Sequence, residues 1–160
     1  MNIAELFYPL EPTAICISIL CGFIVGLERQ LSGKPAGIRT SALICLGTYI
    51  FVAAADLLGK NTDPSRIIGQ IVTGIGFIGA GVILSREGIV LGVTSAAVIW
   101  VLASIGIMIG LGNYTASVLL SIITIIILTG VNLLETIFKS LQRGVYEKFK
   151  KTLQKETDYE

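Results

Sequence analysis

Hydrophobic residues in this chain gather into five blocks, approximately residues 13–27, 38–58, 67–84, 93–111 and 116–134, with short polar stretches between them. A helix that crosses a bilayer needs about 20 apolar residues, with roughly 17 as a lower limit. The blocks therefore predict five membrane-spanning helices. The first is short and is expected to extend back through Pro12 into the Leu6–Leu10 stretch, carrying Glu11 near the interface. Beyond the last block, Leu134, Ile137, Phe138, Leu141 and Val145 recur at spacings of three and four, and lysines occupy much of the remaining surface. That pattern predicts a basic amphipathic helix over 135–160, lying on the anionic inner leaflet or docking a partner, with Lys155–Glu160 frayed. The expected organisation is an all-α integral membrane protein: a transmembrane domain over 1–134 and a cytoplasmic tail helix over 135–160.

Composition supports the membrane assignment. Hydrophobic residues make up 53% of the chain and charged residues 14%, against about a quarter charged in a soluble domain. Mean hydropathy is +0.82. The net charge of +1 gives no reason to expect nucleic acid as a partner. The absence of histidine excludes histidine triads, histidine metal sites and histidine pH switches. Cys16, Cys21 and Cys45 all fall in predicted spans without CxxC spacing and are expected to act as small buried hydrophobes. Residues 1–12 contain acids but no Lys or Arg, so a cleaved signal peptide is not expected.

Charge distribution predicts orientation. With five spans and the N-terminus outside, ten of the twelve Lys and Arg residues lie on the cytoplasmic side, leaving Lys60 and Arg66 outside. The positive-inside rule favours that arrangement.

Glycine predicts how the helices pack. Gly22 and Gly26 form a GxxxG face on the first span, and Gly106 and Gly110 form another on the fourth. In the third span, Gly69, Thr73, Gly76 and Ala80 fall at steps of four, three and four, placing four small residues on one seam. The run Gly74-Ile-Gly76-Phe-Ile-Gly79-Ala-Gly81 has GxGxxG spacing, yet an apolar helix surrounds it where a dinucleotide site needs a preceding strand. Gly74, Gly76, Gly79 and Gly81 are expected to set helix spacing, within one chain or across a homodimer. Unwinding of the helix into a carbonyl-lined ion site is the alternative.

Polar residues concentrate at turns. Glu28 and Arg29 close the first span, and Lys34-Pro35-Ala36-Gly37-Ile38-Arg39-Thr40 opens the second. A bidentate Glu28–Arg39 pair across this turn would fix the angle between two helices, whereas solvated interface charges would contribute little. Ser85-Arg86-Glu87-Gly88 forms a short charged loop before the fourth span, where Thr94 or Ser95 is expected to cap the helix. Trp100, about two turns in, is expected to fill the core. Asn113-Tyr114-Thr115 spells a glycosylation sequon in a minimal outer turn. Glu28 and Asp56 are the candidates for holding a metal such as Mg²⁺; no chain of ionisable groups crosses the spans as a transport path would need.

Gly26-Leu-Glu28-Arg29-Gln30, Ala36-Gly37-Ile-Arg39-Thr40, Gly74-Ile-Gly76-Phe-Ile-Gly79-Ala-Gly81-Val-Ile and Thr94-Ser-Ala96-Ala97-Val-Ile-Trp100 occur in the order and spacing of the MgtC/SapB membrane protein family, which this chain resembles over nearly all of residues 12–135. The resemblance implies a bacterial protein with about five spans. It further implies a link to growth in low magnesium, to intracellular survival in some pathogens, and to regulation that includes restraint of the membrane ATP synthase. Members are also labelled magnesium transporters. Many carry a C-terminal ACT-like domain, so this chain looks like a short member without it. Ser41 stands where His is common, and Val93-Thr94-Ser95 replaces Leu-Thr-Thr.

These readings converge on a non-enzymatic inner-membrane regulator, embedded in the lipid bilayer as a homodimer and binding another membrane complex such as the ATP synthase or a transporter. Glu28, Arg29, Arg39, Thr40, Arg86, Thr94 and Trp100 form the expected polar cytoplasmic-face site. Gly22, Gly26, Gly69, Gly74, Gly76, Gly79 and Gly81 are the expected packing positions. The alternative is a Mg²⁺ or other cation transporter or channel.

Overall fold

The computed structural model describes residues 8–58, 63–86 and 89–137. Among them the order is α1 (Pro12–Leu31), α2 (Ile38–Ala53), a 3-10 turn (Ala54–Leu58), α3 (Pro64–Gly81), strands β1 (Leu84–Arg86) and β2 (Ile89–Leu91), α4 (Val93–Gly110) and α5 (Tyr114–Ile137). One compact unit runs to Ile125; the remaining described part of α5 belongs to a second. The tail predicted over 138–160 lies outside the described residues.

Local chemistry sets the helix ends. Pro12 and Pro64 open α1 and α3, where a missing N–H costs nothing and the fixed φ is already helical. The Asp63 side chain accepts from the Ser65 N–H at 2.9 Å and caps α3. α1 ends in a Schellman motif around Gly33, with Lys34 N donating to Arg29 O (2.9 Å) and Gly33 N to Gln30 O (3.2 Å). α4 ends the same way around Gly112, with Asn113 N donating to Met108 O and Gly112 N to Ile109 O, both at 2.9 Å.

This is an all-α membrane protein. α1, α4 and Tyr114–Val131 of α5 are each long and apolar enough to cross a bilayer, and their outward faces carry large apolar residues such as Phe23 and Leu119. Each backbone polar group inside a helix is paired within it, as the bilayer requires. Buried hydroxyls follow suit: Ser18 donates to Ala14 O and Ser121 to Ser117 O. α2 has 16 residues, about 24 Å of rise, and the five-residue 3-10 turn adds about 10 Å.

Several boundaries differ from the sequence reading. α1 grows forward through Leu31, not back past Pro12, because Glu28, Arg29 and Gln30 find partners within the protein. α3 stops at Gly81, and Leu84, expected in the third span, begins β1. Ser85 and Arg86 of the charged loop belong to a strand, β1, which pairs antiparallel with β2, Leu84 with Leu91 and Ser85 with Val90. Cys21 and Cys45 are buried as expected, but Cys16 is exposed.

The core gathers on α4. Ile99, Leu102, Ile105 and Ile109 are almost wholly buried, against Cys21 and Val25 of α1 and Cys45 and Tyr49 of α2. Glycine permits the approach. A Cβ on Gly26 would lie 2.6 Å from Ile38 Cα, and one on Gly22 2.7 Å from Ser41 O. On α4, a Gly106 Cβ would stand 2.6 Å from Cys45 O. At both GxxxG faces a neighbouring helix comes closer than a Cβ would allow.

The third helix departs from expectation. Of its glycines only Gly79 meets a neighbour, with its Cβ position 3.7 Å from the Ala96 side chain; Gly69, Gly74, Gly76 and Gly81 have nothing within 4 Å. They do not set helix spacing inside this chain, because α3 turns Ile75 and Gly79 inward and the seam outward. The helix is continuous through all of them, so the unwound ion-site alternative does not hold.

Candidate functional site

At the end of the bundle where α1 closes and α4 begins, Arg29 lies only 3% exposed. Its Nη2 donates to Ser95 Oγ at 2.8 Å, tying α1 to the first turn of α4. Its Nε points to Pro35 O at 3.5 Å, and its Nη1 stands 3.8 Å from Glu28 Oε2. The other Glu28 oxygen accepts from Ser32 Oγ at 2.9 Å. Oε2 is buried and accepts no hydrogen bond. Arg29 thus supplies the countercharge that lets Glu28 be buried, and Ser95 directs the guanidinium.

Two backbone features hold this junction. Ala36 adopts φ 63, and Ser41 Oγ donates to Ala36 O at 2.8 Å, fixing the turn into α2. Gly92, at φ 87, N-caps α4 with its Cα against the Val82 carbonyl, where any Cβ would collide. The hairpin returns the chain from α3 to Gly92 and so delivers Ser95 to Arg29. Ser95, read as a cap, is an arginine partner instead; the α4 N-cap makes no side-chain hydrogen bond.

The predicted Glu28–Arg39 clamp is not formed. Gln30 occupies the turn, with its Oε1 3.4 Å from Ile38 N, while Arg39 and Thr40 are exposed on α2 and Arg39 makes no ion pair among the described residues. A cation on the first turn of a helix opposes the helix dipole, so Arg39 is better placed in solvent or headgroups. Arg86 ends β1 opposite Ile89. Thr94 is exposed beside Ser95. Trp100 is 51% exposed and is not a core filler, because α4 buries the stripe through Ser95, Val98, Ile99, Leu102 and Ile109. Asp56 falls in the 3-10 turn.

Arg29, Lys34, Leu91, Gly92, Thr94 and Ser95 line a cavity of about 230 Å³. It combines two cationic side chains with the free N–H end of α4, so its electrostatics suit an anionic group. The Arg29 charge, 3.8 Å from Glu28 Oε2, opposes a divalent cation at that carboxylate. Among the described residues no three His, Cys, Asp or Glu side chains come together.

The opposite end holds a cluster that sequence reasoning missed. Glu11 N donates to Tyr49 Oη at 2.6 Å, and Tyr114 Oη donates to the Glu11 carboxylate. Three helices meet there. The one sequence signal was Glu11 just ahead of Pro12.

A family model, that of the MgtC family, matches residues 15–137. The chain belongs to the MgtC family. It is 47% identical over 122 residues to a protein of Escherichia coli (strain K12) named "Putative magnesium transporter YhiD", covering 71% of this chain and 56% of that protein. Identity to "Protein MgtC" of Brucella abortus (strain 2308) is 34% over 145 residues, covering 87% of this chain and 60% of that one. Identity to "Protein MgtC" of Salmonella typhimurium is 42% over 107 residues, covering 66% and 46%. The chain thus spans roughly half the length of these MgtC-family relatives. No solved structure matches it. The family match contains the whole Arg29–Ser95 junction and both GxxxG faces.

Proposed function

We propose that this MgtC-family chain is a non-enzymatic regulator of the bacterial inner membrane, acting as a homodimer that binds another membrane complex by helix-on-helix contact. The observation that carries this reading is the outward seam of α3. A Cβ on Gly69 or Gly76 would meet nothing within 4 Å, although each glycine in a helix costs roughly 1 kcal/mol relative to alanine. A second helix packing on the seam would offset that cost through close backbone contact. Thr73, on the same seam, already spends its hydroxyl on Gly69 O at 3.0 Å, so the surface is smooth and carries no unpaired donor there. Phe77 beside it is 85% exposed. The excess of Lys and Arg on one side supports an outside N-terminus and a cytoplasmic C-terminus, which puts the Arg29–Ser95 junction on the cytoplasmic face. A role in magnesium limitation and intracellular survival rests on the family resemblance.

A second reading, transport of Mg²⁺, is favoured by the name of the E. coli relative. It would draw on Glu28 or Asp56. Magnesium flux into liposomes holding the purified protein and an enclosed Mg²⁺-sensitive dye separates the two. Folded protein giving the same signal as empty liposomes supports the regulator. Saturable flux that is lost in Glu28→Gln overturns it in favour of a transporter.

A further inference from the structure

Between α2 and α3 runs a groove of about 810 Å³, within the roughly 300–1,000 Å³ typical of ligand clefts. Phe51 on one wall and Ile71 and Ile78 on the other make it apolar, and Gly74 leaves its side open. Polarity enters at one end, where Arg66 and Gln70 stand one helical turn apart. Arg66 is exposed on the first turn of α3 and makes no ion pair among the described residues. The nearest acid in sequence, Asp63, commits its carboxylate to Ser65, accepting from the N–H at 2.9 Å and from the hydroxyl at 2.6 Å.

Length narrows the occupant. Ile78 lies twelve residue steps beyond Arg66, about 18 Å along the helix axis. One leaflet contributes about half of the ~30 Å hydrocarbon core, or about 15 Å. The groove therefore has the length of one leaflet's acyl chain and carries its cation at the end where a headgroup would sit. We infer that it binds an anionic phospholipid, with one acyl chain along the α2–α3 groove, the phosphate on the Arg66 guanidinium and the Gln70 amide donating to an ester carbonyl just below.

Charge argues against a second copy of the chain in this groove. Two copies related by an axis along the membrane normal would bring arginine beside arginine, with Asp63 already engaged at its cap. A phosphate supplies the missing negative charge. The small-residue seam through Gly69, Thr73, Gly76 and Ala80 lies on the other flank of α3, so lipid in the groove leaves that seam free.

The test is native mass spectrometry of detergent-solubilised full-length chain, delipidated and titrated with phosphatidylglycerol or phosphatidylcholine. Wild type should retain phosphatidylglycerol about fivefold better, the preference one surface cation confers. Arg66→Gln, an exposed position, should bind the two lipids alike. Gly74→Phe should lose both, since a Cβ at this position enters open space and the ring is expected to fill the groove; matching circular dichroism and melting curves confirm that each variant folds. Equal binding by wild type, or an unchanged preference in Arg66→Gln, overturns the proposal. So does efficient copy-to-copy crosslinking of Gly74→Cys in native membranes, which would place a second chain in the groove.

Discussion

Arg29 Nη2 meets Ser95 Oγ at 2.8 Å across 66 positions of sequence, joining the last turn of α1 to the first turn of α4. Both side chains are almost wholly buried. The bond matters because Arg29 also faces the buried Glu28 carboxylate, so position and charge compensation depend on one guanidinium.

Removing that guanidinium should be costly. Arg29→Met strands a buried carboxylate and is expected to destabilise the fold by about 3–5 kcal/mol. Ser95→Ala, which removes one hydrogen bond to a charged group, should cost about 1.5–3 kcal/mol. The double variant Glu28→Gln/Arg29→Met should recover part of the loss, because no unpaired charge remains. Equilibrium unfolding in mixed micelles measures all three. Equal stability of the single and double arginine variants would remove the charge argument.

Two glycine substitutions should separate folding from assembly. Gly26→Leu forces a side chain into the α2 backbone, since even its Cβ would stand 2.6 Å from Ile38 Cα. It should fail to give a folded protein or lower its melting temperature sharply. Gly76→Leu enters open space within the chain and should melt normally. If the α3 seam joins two copies, the same variant should lose crosslinked dimer. A crosslinked Gly76→Leu dimer at wild-type yield would count against the seam as the interface.

The helices were legible because their signals are local: apolar block length and glycine at three- and four-residue steps; Pro12, which the reading carried the first span through, and Pro64 turn out to open helices. The hairpin was not. Leu84–Arg86 and Ile89–Leu91 are three-residue strands inside an apolar context, too short for alternation to stand out. Spacing also placed Gly69, Thr73, Gly76 and Ala80 on one seam correctly, yet it carries no information on which way a seam faces. Glu28 was paired with Arg39 because they flank one turn, whereas the true partner of the cluster, Ser95, lies beyond two intervening helices. Tyr49, Glu11 and Tyr114 converge only in three dimensions.

Acid should loosen the start of α3. Two hydrogen bonds from Ser65, the side-chain one foremost, hold the Asp63 carboxyl below its ordinary value of 3.8. A depressed carboxylate pKa gives stability that is complete above the unfolded value and fades as pH falls through the folded one. Amide exchange at Ser65 and Arg66 should therefore stay slow above about pH 4 and show faster local opening, after correction for intrinsic rates, in more acidic buffer. Asp63→Asn should keep the cap and lose this acid response. An unchanged acid profile in that variant would show that another group governs the helix start.

Gly92 should tolerate no side chain. Its φ of 87 lies in the left-handed region, and a Cβ there runs into Val82 O. The backbone term alone costs about 1–2 kcal/mol for Gly92→Ala, and the collision must also push the hairpin away from α3. The displacement would draw the first turn of α4 from Arg29, so Gly92→Ala and Ser95→Ala should be less than additive in the unfolding assay. Strict additivity would mean that the hairpin does not position Ser95.

Trp100 offers a direct check on which face of α4 meets lipid. It is the chain's one tryptophan and is 51% exposed on a helix whose buried stripe runs through Ile99 and Leu102. In a bilayer that exposed indole edge touches acyl chains. Reconstitution into vesicles of lipids brominated along the chain should therefore quench its fluorescence strongly, while a water-soluble quencher such as iodide should have little effect. Moving the bromines towards the headgroup should weaken quenching, since Trp100 sits about two turns, roughly 11 Å, from the start of α4. Insensitivity to every bromine position would show that another surface covers this face in the assembled protein.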